Sequence, residues 1–245
     1  MKIIGIIPCR YQSSRFPGKS LASINGKPMM WHVYQRALES GALDEVYIAT
    51  DDKRIVEVAN EYSLNTIMTS SEHETGTDRV AEAANQIQAD YYVNIQGDEP
   101  FIEPEAIKLV VQAIVNCDSP LVQATNAYTP MKDASDIIDT NTVKVIMDVN
   151  QRALAYSRHS IPFPKANSAK YNKQLGLYAF KQSGLKVFSE NLPANLERVE
   201  SVEMYRLLEH GYSVQMVKTN DASISVDTPS DLKRVQKQFS VLDVK

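Results

Sequence analysis

Three cations crowd one short stretch of this chain. Arg10, Arg15 and Lys19 lie within Ile6-Ile7-Pro8-Cys9-Arg10-Tyr11-Gln12-Ser13-Ser14-Arg15-Phe16-Pro17-Gly18-Lys19-Ser20. The ending Gly18-Lys19-Ser20 matches the tail of a phosphate-binding P-loop, in which backbone N–H groups wrap the phosphates. The rest departs from that pattern. Ser13 stands where the first glycine belongs, and Pro17 has no N–H to donate. Such a loop can still hold a polyphosphate, using side-chain charge as well as backbone donors. Two distant carboxylates add a second element of chemistry. Asp98 follows the apolar run Tyr91–Gln96 and Gly97, and Asp227 precedes Thr228-Pro229. Mg²⁺ takes one or two carboxylates together with substrate phosphates and water. Asp98 suits that role, and Asp227 is a second candidate, although an Asp before Thr-Pro serves equally well as a turn or cap residue.

Other polar segments say less by themselves. Glu72-His73-Glu74-Thr75-Gly76-Thr77-Asp78-Arg79 opens a helical pattern. Gly76 and Thr77 could offer donors to an anion at the helix start, or simply cap it. His32, His73, His159 and His210 are isolated and fit no zinc spacing. The dinucleotide fingerprint Gly-x-Gly-x-x-Gly is absent, as is the Gly-x-Ser-x-Gly nucleophile elbow. A dinucleotide-dependent dehydrogenase and a serine hydrolase of that type are therefore disfavoured.

Something must bring these segments together. The first 126 residues alternate apolar runs (Ile3–Pro8, Glu45–Thr50, Asn65–Met68, Tyr91–Gln96, Leu121–Thr125) with amphipathic stretches. Helices are expected from Pro28 to Ser40, from Asp51/Asp52 through Asn60, from Gly76 or Thr77 through Ile87, and from Pro104 through Val115. That alternation predicts an α/β fold, a mostly parallel nucleotide-binding sheet with helices on both faces. Ligands of such sheets bind beyond the carboxyl ends of the strands. Arg10–Lys19, Thr50-Asp51-Asp52 and Gln96–Pro100 all sit there. The pattern then changes. Val143–Asp148 and Arg152–Ser157 read as a hairpin, Lys165–Lys173 as an exposed loop and Leu175–Phe180 as a strand. Leu196–His210 reads as one helix ending at Gly211, Ser213–Val217 as a strand, and the segment from Thr228 onward as a last helix. The expectation is a single domain over 1–245, with an antiparallel excursion inserted at 143–180.

Composition sets the outer bounds. The 245 residues are 43% hydrophobic and 23% charged, as in an ordinary globular protein. A net charge of −4 gives no argument for nucleic acid or an acidic membrane as partner. Cys9 and Cys117 are far apart and suit free thiols in a reducing compartment. No run approaches the ~20 apolar residues of a membrane span. The expected location is the cytoplasm.

Five segments taken together resemble the 3-deoxy-manno-octulosonate cytidylyltransferase family. They are Ile6–Lys19, Ala49-Thr50-Asp51-Asp52, Gly76-Thr77-Asp78-Arg79, Asn94-Ile95-Gln96-Gly97-Asp98-Glu99-Pro100 and Val226-Asp227-Thr228-Pro229, with Gly26-Lys27-Pro28-Met29 after the first loop. The resemblance implies that CTP and the sugar acid Kdo give CMP-Kdo and pyrophosphate, for lipopolysaccharide or capsule synthesis. It implies catalytic roles for Lys19, Asp98 and Asp227, with Asp98 and Asp227 holding Mg²⁺. Nucleotide contacts would come from Arg10, Ser13, Arg15, Lys19, Gly76, Thr77 and Arg79. Sugar contacts would come from Gln96, Arg158, Lys165, Gln174, Tyr178 and Glu203. The 143–180 segment resembles the family's dimerisation segment, which implies a homodimer.

Three departures fall on the sugar side. Gln174 replaces the usual His before Leu175-Gly176, Lys165 replaces an Arg, and Glu203-Met204-Tyr205-Arg206 replaces Glu-Gln-Leu-Arg. They leave room for a modified Kdo, such as an 8-amino form, or another sugar acid. A catalytically silent nucleotide-binding module is the alternative from outside the enzymes.

Overall fold

The computed structural model describes residues 1–13, 15–131, 133–165, 169–220 and 224–242, the last three of these as helical backbone. The expected loop 165–173 lies partly outside the described residues, at 166–168. In chain order the elements are β1 (Ile3–Pro8), β2 (Ser23–Ile24), β3 (Lys27–Pro28), α1 (Met29–Glu39), β4 (Glu45–Thr50), α2 (Lys53–Glu61) and β5 (Thr66–Met68). There follow α3 (Gly76–Gln86), β6 (Tyr91–Ile95), α4 (Pro104–Val115), β7 (Val122–Pro130), α5 (Ala134–Ile138), β8 (Lys144–Met147) and β9 (Ala153–Ser157). The remainder is β10 (Asn172–Lys181), α6 (Gln182–Glu190), α7 (Asn195–Glu200), α8 (Tyr205–Glu209), β11 (Ser213–Lys218) and α9 (Pro229–Leu242).

The main sheet runs β11-β7-β10-β6-β1-β4-β5, with β8 and β9 attached beside β10. β1 is its centre, parallel to both β4 and β6. Its sequence shows why. Alternate strand residues face opposite sides. Ile3 and Ile7 enter the apolar cluster shared with α1, α2 and α4. Ile4 and Ile6 enter the cluster shared with α3, α6 and α8. A strand that is apolar on both faces needs helices on both faces, and these supply them. Helix starts follow local chemistry. Asp52 caps α2 by accepting the Arg54 N–H at 2.9 Å, Thr75 caps α3, and Pro104 occupies the first turn of α4.

Three expectations are corrected. The 143–180 segment is more than an excursion, because its last strand, β10, lies inside the main sheet, antiparallel to both β6 and β7. β7 also runs on to Pro130. Its polar Asn126 is tolerated at a buried position because its amide donates to the Leu175 and Leu177 carbonyls at 2.8 and 3.1 Å. The expected helix 196–210 breaks into α7 and α8, with Ser201 in the left-handed region at φ 53°. The hairpin β2–β3 and helices α5 and α6 were not foreseen. Among the described residues no helix is long and apolar enough to cross a membrane.

α9 closes the fold over the first loop. Phe239 stacks on Phe101 at 4.2 Å and lies 4.7 Å from the His32 ring. The Gln236 amide donates to the Ser23 carbonyl at 2.8 Å. Just before this helix, the Val226 N–H donates to the Asp98 carbonyl at 2.8 Å.

Candidate active site

The loop leaving β1 is held from two sides. Gly18 has φ +70°, a conformation open to glycine, and its N–H donates to the Tyr11 carbonyl at 2.7 Å. The Tyr11 ring packs against Gly18, and the Arg54 guanidinium lies 3.3 Å above the ring. Asp52 fixes Arg54 through two hydrogen bonds, at 2.9 and 2.6 Å. A single 3-10 turn, Lys19–Leu21, follows. From it the Lys19 ammonium reaches Asp98 Oδ2 at 2.5 Å, Asp227 Oδ1 at 3.1 Å and the Val226 carbonyl at 3.3 Å. Arg15 pairs with the same Asp227 oxygen at 3.1 Å. Burial by itself would lower the Lys19 pKa. The two carboxylates outweigh it and the value is raised, so Lys19 is a permanent cation.

Asp98 reaches this point because Gly97 has no side chain. A Cβ there would sit 2.8 Å from Cys9 Sγ and 2.9 Å from the Pro8 carbonyl oxygen. Burial pushes the Cys9 thiol up to about 12, against a smaller opposing pull from a hydrogen bond with Ser20. Cys9 is thus a packing residue, not a nucleophile. Asp98 and Asp227 both aim a carboxylate oxygen at one cation. The cation they share is the Lys19 ammonium. Among the described residues no group of three or more His, Cys, Asp or Glu converges. A metal here would need phosphate oxygens and water to complete its shell, which is magnesium's habit.

The start of α3 forms an adjoining wall. The Gly76 N–H donates to Glu203 Oε1 at 3.0 Å, and the Thr77 hydroxyl donates to the other oxygen of the same carboxylate. Asn94 donates to Thr77 Oγ1 at 3.0 Å from beneath. A carboxylate at a helix N-terminus is favoured by the helix dipole, yet burial raises the Glu203 pKa despite these donors. Arg79 is buried. It donates to Thr69 Oγ1 at 2.5 Å and to the Ser70 carbonyl at 3.2 Å, and lies 3.4 Å from Asp51. α7 and α8 are held to α3 by one buried guanidinium. Arg206 pairs with Asp78 at 2.5 Å and with Glu197 at 2.6 Å.

These walls enclose a cavity of about 520 Å³. Of the residues expected from sequence, Arg10, Lys19, Gly76 and Arg79 line it, and so do Gln96, Asp98 and Glu203. Asp227 and Arg15 join through the Lys19 cluster. Ser13 lines a neighbouring recess with Tyr11 and Arg54. Thr77 is fully buried, its hydroxyl committed to Glu203 and Asn94.

Four expected sugar ligands are not brought to the cavity lining. Arg158 donates to three backbone carbonyls, of Glu200 at 2.7 Å, Thr140 at 3.1 Å and Ser201 at 3.3 Å. Lys165 is exposed on the loop after Phe163. Gln174 donates to the Leu175 carbonyl and to Tyr178 Oη, both at 2.6 Å. Tyr178 is buried, and burial pushes its hydroxyl far above the usual range. Met204, one of the departures, is also fully buried in the apolar cluster. In exchange, Glu197, Arg198 and Ser201 line the cavity from α7 and its end. None was foreseen, because a continuous helix over 196–210 conceals the turn that exposes them. The one signal was the charge complement of Glu197 and Arg206, which only tertiary contact turns into a pair.

Comparison with known proteins fits this geometry. The cytidylyltransferase family profile matches residues 4–219. The 3-deoxy-manno-octulosonate cytidylyltransferase of Syntrophobacter fumaroxidans is 44% identical, covering 96% of each chain. That of Geobacter metallireducens is 42% identical, covering 98% of each. A solved structure of a CMP:2-keto-3-deoxy-manno-octonic acid synthetase complexed with CTP superimposes with a TM-score of 0.92 at 37% identity, over 98% of this chain and 99% of the other. By its sequence over nearly its whole length, and by the fold that sequence adopts, this chain belongs to the 3-deoxy-manno-octulosonate cytidylyltransferase family.

Proposed function

We propose that this chain transfers the cytidylyl group of CTP to Kdo, releasing pyrophosphate and CMP-Kdo. The observation that carries this is the meeting of Lys19, Asp98 and Asp227 beside a cavity of sugar-nucleotide size. In the reaction the sugar's anomeric hydroxyl oxygen bonds the α-phosphorus. The bond from that phosphorus to the bridging oxygen of the β-phosphate breaks, and the hydroxyl proton is released. The residues answer the charge this creates. Arg10, Arg15 and Lys19 face the triphosphate, and Lys19 gains most as negative charge grows on the departing pyrophosphate. Asp98 and Asp227 would hold Mg²⁺, which when bound neutralises phosphate charge and acidifies the hydroxyl. Gly76 and Arg79 border the nucleotide, and Thr77 shares the Glu203 carboxylate with the Gly76 N–H. Gln96 and Glu203 supply the polar wall for the sugar.

The whole chain works as one nucleotidyltransferase unit in the cytoplasm, and a second copy contacts the 143–180 segment. Val149, Leu154 and Phe163 are exposed within it and Ile138 just before it, apolar side chains that a partner would bury. The test of function is pyrophosphate release and CMP-sugar formation from CTP, Mg²⁺ and a panel of sugar acids. Turnover with Kdo supports the reading. Turnover with a hexose 1-phosphate and with no sugar acid would reject it.

A further inference from the structure

The structure assigns the carboxylate of the sugar acid to Arg198, and this rests on the proposed transfer to Kdo. Two anions must enter the cavity, the triphosphate and the sugar carboxylate. Four cations line it: Arg10, Lys19, Arg79 and Arg198. Lys19 is engaged by Asp98 and Asp227. Arg79 is buried and engaged by Thr69, Ser70 and Asp51. Arg10 and Arg198 are exposed, and among the described residues neither guanidinium has a hydrogen bond or ion pair. Arg10 belongs to the loop after β1, with the other triphosphate cations. Arg198 stands on α7, on the wall it shares with Ser201 and Glu203.

Arg158, the arginine that the family resemblance offers to the sugar, cannot serve as it stands. Its guanidinium is spent on the carbonyls of Glu200, Ser201 and Thr140, and the Glu200 carboxylate in turn accepts its backbone N–H at 2.9 Å and the Ser157 hydroxyl at 3.0 Å. That seam holds the end of α7. Its beginning is held where the Leu196 and Glu197 N–H groups donate to Glu209 at 3.0 and 3.2 Å. Its middle is held by Glu197 on Arg206. Glu197, Glu200 and Glu209 thus fix the short helix, while Arg198, which borders both this cavity and the adjoining recess at Phe188–Pro193, is unengaged among the described residues. A fork of N–H donors on a fixed element matches a carboxylate bidentately. Arg198 is thus a substrate-binding residue, and Arg158 positions the helix that carries it.

The test compares the unmodified chain with Arg198→Ala and Arg198→Lys, using CTP with Kdo and with the carboxamide analogue of Kdo. Because Arg198 is exposed, the melting temperature should not move. The expected result for Arg198→Ala is a rise of about tenfold or more in KM for Kdo, with KM for CTP changed less than twofold. The preference for carboxylate over carboxamide, read as the ratio of kcat/KM values, should collapse. Arg198→Lys should recover part of that preference. An unchanged KM for Kdo would overturn the assignment, and so would an equal loss on the carboxamide. If the unmodified chain released no pyrophosphate with any sugar acid, the proposed transfer would fall and this assignment with it. Normal turnover by the unmodified chain and by Arg198→Ala alike would remove this assignment alone.

Discussion

At the scale of single residues, the site depends on charges that are incomplete without their neighbours. Asp98 and Asp227 each meet Lys19, and each would hand an oxygen to a divalent cation. Asp98→Asn and Asp227→Asn keep the shape and remove the charge. Each should lower turnover by about 10²-fold or more while the fold persists. Calorimetry should also show that Mg²⁺ no longer strengthens CTP binding. Near-normal rates in either variant would contradict a metal-holding role for that carboxylate. Glu203 offers a test by pH. Burial raises its pKa, so the fold disfavours its ionised form. The cost is absent while the carboxyl is protonated in both states. It grows as pH rises through the ordinary Glu value, near 4.3, and is complete above the raised folded value. Glu203→Gln never ionises and keeps an acceptor for the Gly76 N–H. Its stability relative to the unmodified chain should therefore improve from acid toward neutral pH, as read by urea melts across that range. A relative stability that fell with rising pH would count against a buried, pKa-raised Glu203.

At the scale of elements, the join between α3 and the α7–α8 pair sets the shape of the cavity wall proposed for the sugar. Arg206, only 1% exposed, is its pin. Arg206→Met leaves the buried Glu197 and the partly buried Asp78 without their shared cation, which costs about 3–5 kcal/mol. Denaturant unfolding should show that loss. At temperatures where the variant stays folded, KM for the sugar should rise more than KM for CTP, because α7 loosens while the β1 loop does not. This join is also where the sequence was least legible. The run from Leu196 to His210 has an unbroken helical pattern, and nothing local predicts a left-handed Ser201. The break is imposed from outside, by Glu203 drawn to the Gly76 N–H and by Arg158 drawn to the Glu200 and Ser201 carbonyls. The side proposed for the nucleotide was legible in its local structure for the opposite reason. Its residues sit at strand ends and helix starts, such as the Pro8 exit, the Asp52 cap and the Thr75 cap, where local chemistry decides the structure. β10 falls between these cases. Its apolar core, Leu175–Phe180, read as a strand, but its place between β6 and β7 is a matter of pairing that one segment cannot disclose.

At the scale of the whole molecule, the proposed homodimer is tested at the exposed apolar side chains in and beside the 143–180 segment. Phe163 is 84% exposed, and Ile138 is 73% exposed. Phe163→Asp should shift the chain from dimer to monomer in light scattering at micromolar concentration, with little change in its melting curve before dissociation. A protein already monomeric would remove the proposed homodimer and leave the active-site assignments untouched.

Translation runs from the N-terminal to the C-terminal side, so β1 and its loop emerge before the segment that carries Asp227. All strands of the main sheet are in hand by Lys218. Asp227 and α9 are not, and neither is the Val226 N–H that ties them to Asp98. A nascent chain can therefore assemble its sheet while Lys19 still faces one carboxylate instead of two. For the proposed reaction, the pair of carboxylates at Lys19 is complete only once the segment around Asp227 has docked.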